Sequence, residues 1–129
     1  MSLANHIKSA DWRAEKHVPV ITVGGQFAPG QPLDIEVSVG KEIPHPNTPA
    51  HHIAWIALHF VPNGGATSVE LGRASLSAHG DSANPDIPGA ATAPVARFRV
   101  VLPGPGVLHA TAYCNLHGLW TSSAPIAVA

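Results

Sequence analysis

Nine histidines outnumber the seven lysines and arginines of this chain, and they are unevenly placed. His45, His51 and His52 share one proline-rich stretch, Lys41-Glu42-Ile43-Pro44-His45-Pro46-Asn47-Thr48-Pro49-Ala50-His51-His52. His17 stands just before a β-branched run, in Glu15-Lys16-His17-Val18-Pro19. The only cysteine, Cys114, precedes His117 by three residues in Tyr113-Cys114-Asn115-Leu116-His117-Gly118-Leu119-Trp120. Imidazoles combined with one thiolate suit a transition metal rather than a hard cation. Taken singly, a loop histidine is ordinarily solvated, and a free cysteine ordinarily serves as a small buried apolar residue. Their grouping at strand ends, with prolines stiffening the backbone around them, favours a metal site. Neighbouring residues of an extended chain point to opposite sides, so only one of His51 and His52 faces a shared metal. His6, His59, His79 and His109 read as ordinary solvated or packed residues, with His59 and His109 inside strand patterns.

Ligand counting narrows the metal. A Cys₂His₂ zinc site needs two cysteines. A cupredoxin-like electron-transfer site takes two histidines, one cysteine and usually an axial methionine; the only methionine is Met1, and there are more histidines than that site uses. Four histidines and one cysteine make a five-coordinate set, which leaves a sixth position open on iron. The single cysteine also excludes an internal disulfide.

The elements that must position these residues are strands. Twelve glycines and thirteen prolines in 129 residues interrupt the chain too often for long helices. Val18–Val23, Leu33–Val39, Ile53–Val61, Val69–Ser77, Val95–Leu102, Val107–Tyr113 and Ala124–Val128 read as strands. Leu33-Asp34-Ile35-Glu36-Val37 alternates apolar and polar, whereas Ile53–Val61 is apolar on both faces and reads as a central, doubly buried strand. A short helical turn is expected near Ser2–Ala10. Together these predict a seven-stranded immunoglobulin-like antiparallel β-sandwich, one domain over residues 1–129. Segments 40–52 and 78–94 are long loops of the kind that carry function. Charged residues are only 12% and the net charge is −1, which leaves no basic surplus for nucleic acid or an anionic membrane surface. No apolar run approaches the roughly 20 residues of a membrane helix. Residues 1–12 lack the apolar stretch of a signal peptide, so a cytoplasmic protein is expected.

Glu15-Lys16-His17-Val18-Pro19, Pro44-His45-Pro46-Asn47, His51-His52-Ile53-Ala54-Trp55-Ile56 and Cys114-Asn115-Leu116-His117-Gly118-Leu119-Trp120 together resemble superoxide reductase of the one-iron neelaredoxin type, the desulfoferrodoxin iron-binding family. The likeness runs in order from about residue 11 to Trp120. It implies a mononuclear iron, Fe²⁺ or Fe³⁺, with His17, His45, His51 and His117 around its equator and Cys114 as axial ligand. His52 would then be a neighbour only, and Glu15 and Lys16 would lie on a loop over the open face. The implied activity is one-electron reduction of superoxide to hydrogen peroxide, with a rubredoxin-like or other one-electron donor restoring the iron. Relatives form tetramers or dimers, so a homo-oligomer is implied. The four-cysteine iron domain of two-iron members has no counterpart here, and Ala57 and Thr121 stand where many relatives have Glu. A ferrous ion with four neutral imidazoles and one thiolate is formally monocationic, and Lys16 adds a second positive charge. Opposite unit charges about 7 Å apart at an effective dielectric of about 20 attract by roughly 2 kcal/mol, enough to steer a small anion.

Overall fold

The structure, a computed structural model, describes residues 1–128; the last residue of the domain read as 1–129 lies outside them. Seven strands follow one 3₁₀ turn at Leu3–His6: β1 (Pro19–Gly24), β2 (Pro32–Val39), β3 (Ile53–Pro62), β4 (Val69–Ser75), β5 (Val95–Val101), β6 (Gly106–Cys114) and β7 (Gly118–Ile126). They form two antiparallel sheets, β1-β2-β5 and β4-β3-β6-β7, packed face to face as an immunoglobulin-like sandwich.

The alternation in β2 is used as the pattern requires. Leu33, Ile35, Val37 and Val39 turn inward and are buried. Asp34 and Glu36 turn outward and meet Arg99 and Arg97, their register partners on β5, at 3.6 and 2.9 Å. These exposed pairs contribute at most about 1 kcal/mol each; the sandwich is held by its inner faces. There Ile35 and Val37 pack in one core with Ile56, Leu58, Leu108, Ala110 and Ala112 of the other sheet. Strand β3 is central, between β4 and β6. Its inner side chains are buried, while Trp55 and His59 on the other face are half-buried, so burial is heavier on one side than the continuous apolar run predicts.

The last strand differs most from expectation. It begins at Gly118, not Ala124, because the chain folds back directly after Cys114 and pairs with β6 from Cys114↔Gly118 through Gly106↔Ile126. Gly118 makes that return with φ +82°, a conformation favourable only for glycine. The N-terminal segment adds to the far edge of β7, where Lys8 N–H donates to Leu119 O and Thr121 N–H to Lys8 O.

Register places one end of the sandwich under all the metal-ligand candidates. Pro19, which opens β1, pairs with Val39, which closes β2. Ile53, which opens β3, pairs with Cys114, which closes β6. A β-bulge between Ile53 and Trp55 bends the start of β3 beside this end, a usual place for such irregularities near functional sites. The 40–52 loop therefore crosses between the sheets over the same end. It departs at Gly40, φ +83°, where an added Cβ would lie 2.5 Å from the His45 backbone nitrogen; only glycine lets the loop close that tightly. Among the described residues no helix is long and apolar enough to cross a membrane.

Candidate metal centre

Three segments with no sequence continuity meet at that end. The turn from Asp11 to Glu15, closed by hydrogen bonds to Asp11 O at 3.0 and 2.9 Å, delivers His17 just ahead of β1. The crossover loop delivers His45 and His51. The β6–β7 turn delivers Cys114 and His117. Nitrogens of His17, His45 and His51 and the sulfur of Cys114 all lie within 4.8 Å of one another. His117 joins them through Nδ1, which is 3.1 Å from His17 Nε2, 3.2 Å from His51 Nε2 and 3.9 Å from Cys114 Sγ.

The four rings form a square. Centroids of neighbours are 4.7 Å apart for His17–His45, 4.6 Å for His45–His51, 4.9 Å for His51–His117 and 4.7 Å for His17–His117, each pair steeply inclined; the His17–His51 diagonal is 5.8 Å. Metal–nitrogen bonds of about 2.1 Å at right angles put adjacent nitrogens about 3.0 Å apart, close to the 3.1 and 3.2 Å that separate His117 Nδ1 from His17 Nε2 and His51 Nε2. Cys114 is fully buried, His17 and His45 are buried, and His117 is exposed. The sulfur therefore lies on the protein side of the cluster. Beside it a shallow cavity is lined by Ala14, Glu15, Lys16, His17, Ile43 and His117.

The polar partners leave these imidazoles in a form that can bind a metal. His17 Nδ1 donates to Glu15 Oε1 at 2.6 Å, and the same oxygen accepts from the His17 backbone N–H at 3.0 Å. The hydrogen bond from the His17 ring holds the Glu15 carboxyl below its usual range, so it is a carboxylate. His45 Nδ1 donates to Pro46 O at 2.6 Å. With Nδ1 protonated, Nε2 of each ring keeps its lone pair; a carboxylate or carbonyl behind the ring is the usual support of a metal-bound histidine. His45 Nε2 is buried with no hydrogen-bond partner, an arrangement that ordinarily costs about 1–3 kcal/mol and that a metal ion would relieve. Burial pushes the His45 pKa down to about 4, and burial, followed by the neighbouring His117, lowers that of His51. Both are neutral at neutral pH, the state that binds metal. Cys114 Sγ accepts the His117 backbone N–H at 3.4 Å. The residues present thus fit a transition metal with four nitrogens and one sulfur.

His52 points away from this cluster and stacks on His79. Lys16 is half-buried along the cavity. His59 and His109 are register partners on β3 and β6, far down the sheet from Cys114. The sulfur of Met1 lies 3.0 Å from His6 Nε2, so the only thioether is engaged elsewhere. Two residues with clear supporting roles escaped the reading of ligand types. Asn115 accepts the His52 N–H at 2.8 Å, donates from its amide to Ala50 O at 3.1 Å, and donates its backbone N–H to His52 O at 3.1 Å. It thereby joins the crossover loop to the β6–β7 turn; its place between Cys114 and His117 was the available signal. Trp120 stacks on the His17 ring at 4.9 Å and 14°, and no local pattern announces that contact.

The desulfoferrodoxin family model matches residues 9–123. The chain is 44% identical to the superoxide reductase of Pyrococcus furiosus, covering 92% of this chain and 94% of that one. It is 41% identical to the neelaredoxin of Megalodesulfovibrio gigas, covering 99% of each. Among solved structures, the reduced superoxide reductase (neelaredoxin) of Archaeoglobus fulgidus superposes with a TM-score of 0.86 at 48% identity, covering 95% of this chain and 99% of that one.

Proposed function

The chain belongs to the desulfoferrodoxin family, and from that membership we propose that His17, His45, His51 and His117 hold its iron in a four-imidazole ring with the Cys114 thiolate as fifth ligand. The protein is a superoxide reductase. The observation that carries the ligand assignment is the convergence of five donors from three segments, with the His45 Nε2 lone pair buried and otherwise unpartnered.

Bound there, iron supplies one-electron exchange between its ferrous and ferric states, so that superoxide, one electron and two protons become hydrogen peroxide. The protein groups hold and orient. Glu15 and the Pro46 carbonyl fix the His17 and His45 rings with Nε2 free. Asn115 keeps the 50–52 segment against the β6–β7 turn. The buried Cys114 thiolate offsets positive charge on the inner side, which leaves a site attractive to a small anion on the outer side. Lys16 places a further cation along the cavity, where a low-dielectric wall strengthens its field.

The reaction consumes one electron for each superoxide, so it would need an external one-electron donor, rubredoxin-like or of equivalent chemistry. We read the protein as cytoplasmic. We read residues 1–129 as one domain that associates with itself as a dimer or tetramer. The stacked, half-buried Trp55 and Tyr113 on the outer face of the four-stranded sheet support that association.

The test is metal analysis joined to superoxide-pulse kinetics on reduced protein. One iron per chain and second-order consumption of superoxide are expected. A chain purified under protective conditions without stoichiometric iron, or an iron-loaded one inert to superoxide, would overturn the reading.

Lys16→Met separates capture from metal binding. The variant is expected to react more slowly with superoxide while iron content and the oxidised spectrum stay nearly unchanged. Its rate should also depend less on salt, because screening at 0.1 M acts over about 10 Å. The slowing is modest, since the iron centre itself still attracts the anion. Pulse radiolysis across several ionic strengths checks this; capture as fast as wild type at low salt would reduce Lys16 to a solvated charge.

A further inference from the structure

His79 lies outside the five-ligand cluster, on the loop between β4 and β5, yet it is only 5% exposed. A buried imidazole requires partners, and both of its partners belong to the crossover loop. Its ring lies flat on the His52 ring, with centroids 3.6 Å apart and planes inclined by 6°. Its Nδ1 bonds to Asn47 Oδ1 at 2.7 Å. Asn47 is two residues past His45, and His52 is one residue past His51, so one side chain grips the loop beside each of its ligands.

The loop behind His79 is itself tied down. His79 pairs with Ala91 as an isolated bridge, Thr92 N–H donates to Ala78 O at 2.7 Å, and the His79 backbone N–H donates to Asp81 Oδ1 at 3.0 Å. The Asn47 amide donates to Thr92 O at 2.9 Å, and His52 Nδ1 donates to Thr48 O at 2.8 Å. The crossover loop is otherwise largely exposed and rich in proline, with little apolar packing to fix it. We propose that His79 is a positioning residue of the metal centre: its stack on His52 and its hydrogen bond to Asn47 set the distance between His45 and His51. Histidine suits the place because a phenyl ring would stack without serving Asn47, and a glutamine would serve Asn47 without stacking.

The inference rests on His45 and His51 being ligands, and the experiment keeps the two ideas separate. Iron-loaded wild type, His45→Ala, His79→Ala, His79→Phe, His79→Gln, His52→Ala and the His52→Ala/His79→Ala double variant are compared for three quantities. These are the rate of iron loss to excess chelator, the position of the oxidised visible band, and the midpoint potential. His79→Ala is expected to speed iron loss about tenfold, the scale on which partners behind a ligand act, and to move band and potential. His79→Phe and His79→Gln should fall between it and wild type, which keeps the idea testable if the alanine variant folds poorly. Adding His79→Ala to His52→Ala should cost less than it does alone, because the stack is already gone. Wild-type release with an unmoved band in His79→Ala would overturn the inference. So would a lowered melting temperature without change in band or potential, or fully additive losses in the double variant. Full iron retention in His45→Ala would instead overturn the ligand assignment.

Discussion

Cys114→Ser is expected to abolish the visible charge-transfer band of the oxidised, iron-loaded protein and most of its activity. Cys114 is the only cysteine, is fully buried, and its sulfur lies within 4.8 Å of ring nitrogens of His17, His45 and His51. Its sulfur accepts the His117 backbone N–H. A serine hydroxyl at this position stays protonated, carries no charge to offset the cation, and donates far less electron density. The cost should exceed the roughly 10–100-fold losses typical when groups behind a ligand are removed, because here the ligand itself is lost. Absorption spectroscopy of the oxidised protein, iron stoichiometry and superoxide-pulse kinetics check the three consequences together. A serine variant with the wild-type spectrum would remove Cys114 from the ligand set.

The adjacent histidines should behave very differently. His51 presents Nε2 to the cluster, 3.2 Å from His117 Nδ1, whereas His52 faces the other way against His79. His51→Ala removes one corner of the square and is expected to lower iron content and activity far more than His52→Ala. The His52 variant should still load iron, releasing it several-fold faster because the crossover loop has lost one anchor, within the roughly 10–100-fold range of such partners. Iron content after purification and superoxide consumption by the reduced variants measure both effects. The reverse ordering would refute the assignment.

Much of this was legible along the chain. Alternation in Leu33–Val37 and the β-branched runs placed six of the strands within a residue or two, since a half-buried strand imposes a period of two on its own sequence. The last strand was placed late because Gly118–Ser123 mixes glycine, tryptophan and hydroxyl residues without clean alternation. That segment is a strand because β6 is available to pair with it, and pairing is a property of two segments. Ligand types were equally legible: imidazoles and a lone thiolate define a chemistry by their identities, and the family likeness carries their order along the chain.

Residue type and near neighbours are enough to fix the candidate donors, the strand periods and the turns that interrupt them. That the starts of β1 and β3 and the ends of β2 and β6 lie together at one end of the sandwich follows instead from register between strands far apart in the chain. Tertiary packing also sets the supporting contacts. Asn115 reaches across to Ala50 and His52, Trp120 lies on His17, and His79, which along the sequence is an ordinary loop histidine, lies between Asn47 and His52. Side-chain contacts of this kind are made between residues 27 or more positions apart, so no periodicity or spacing within either segment encodes them; packing two sheets and a crossover loop around one core does.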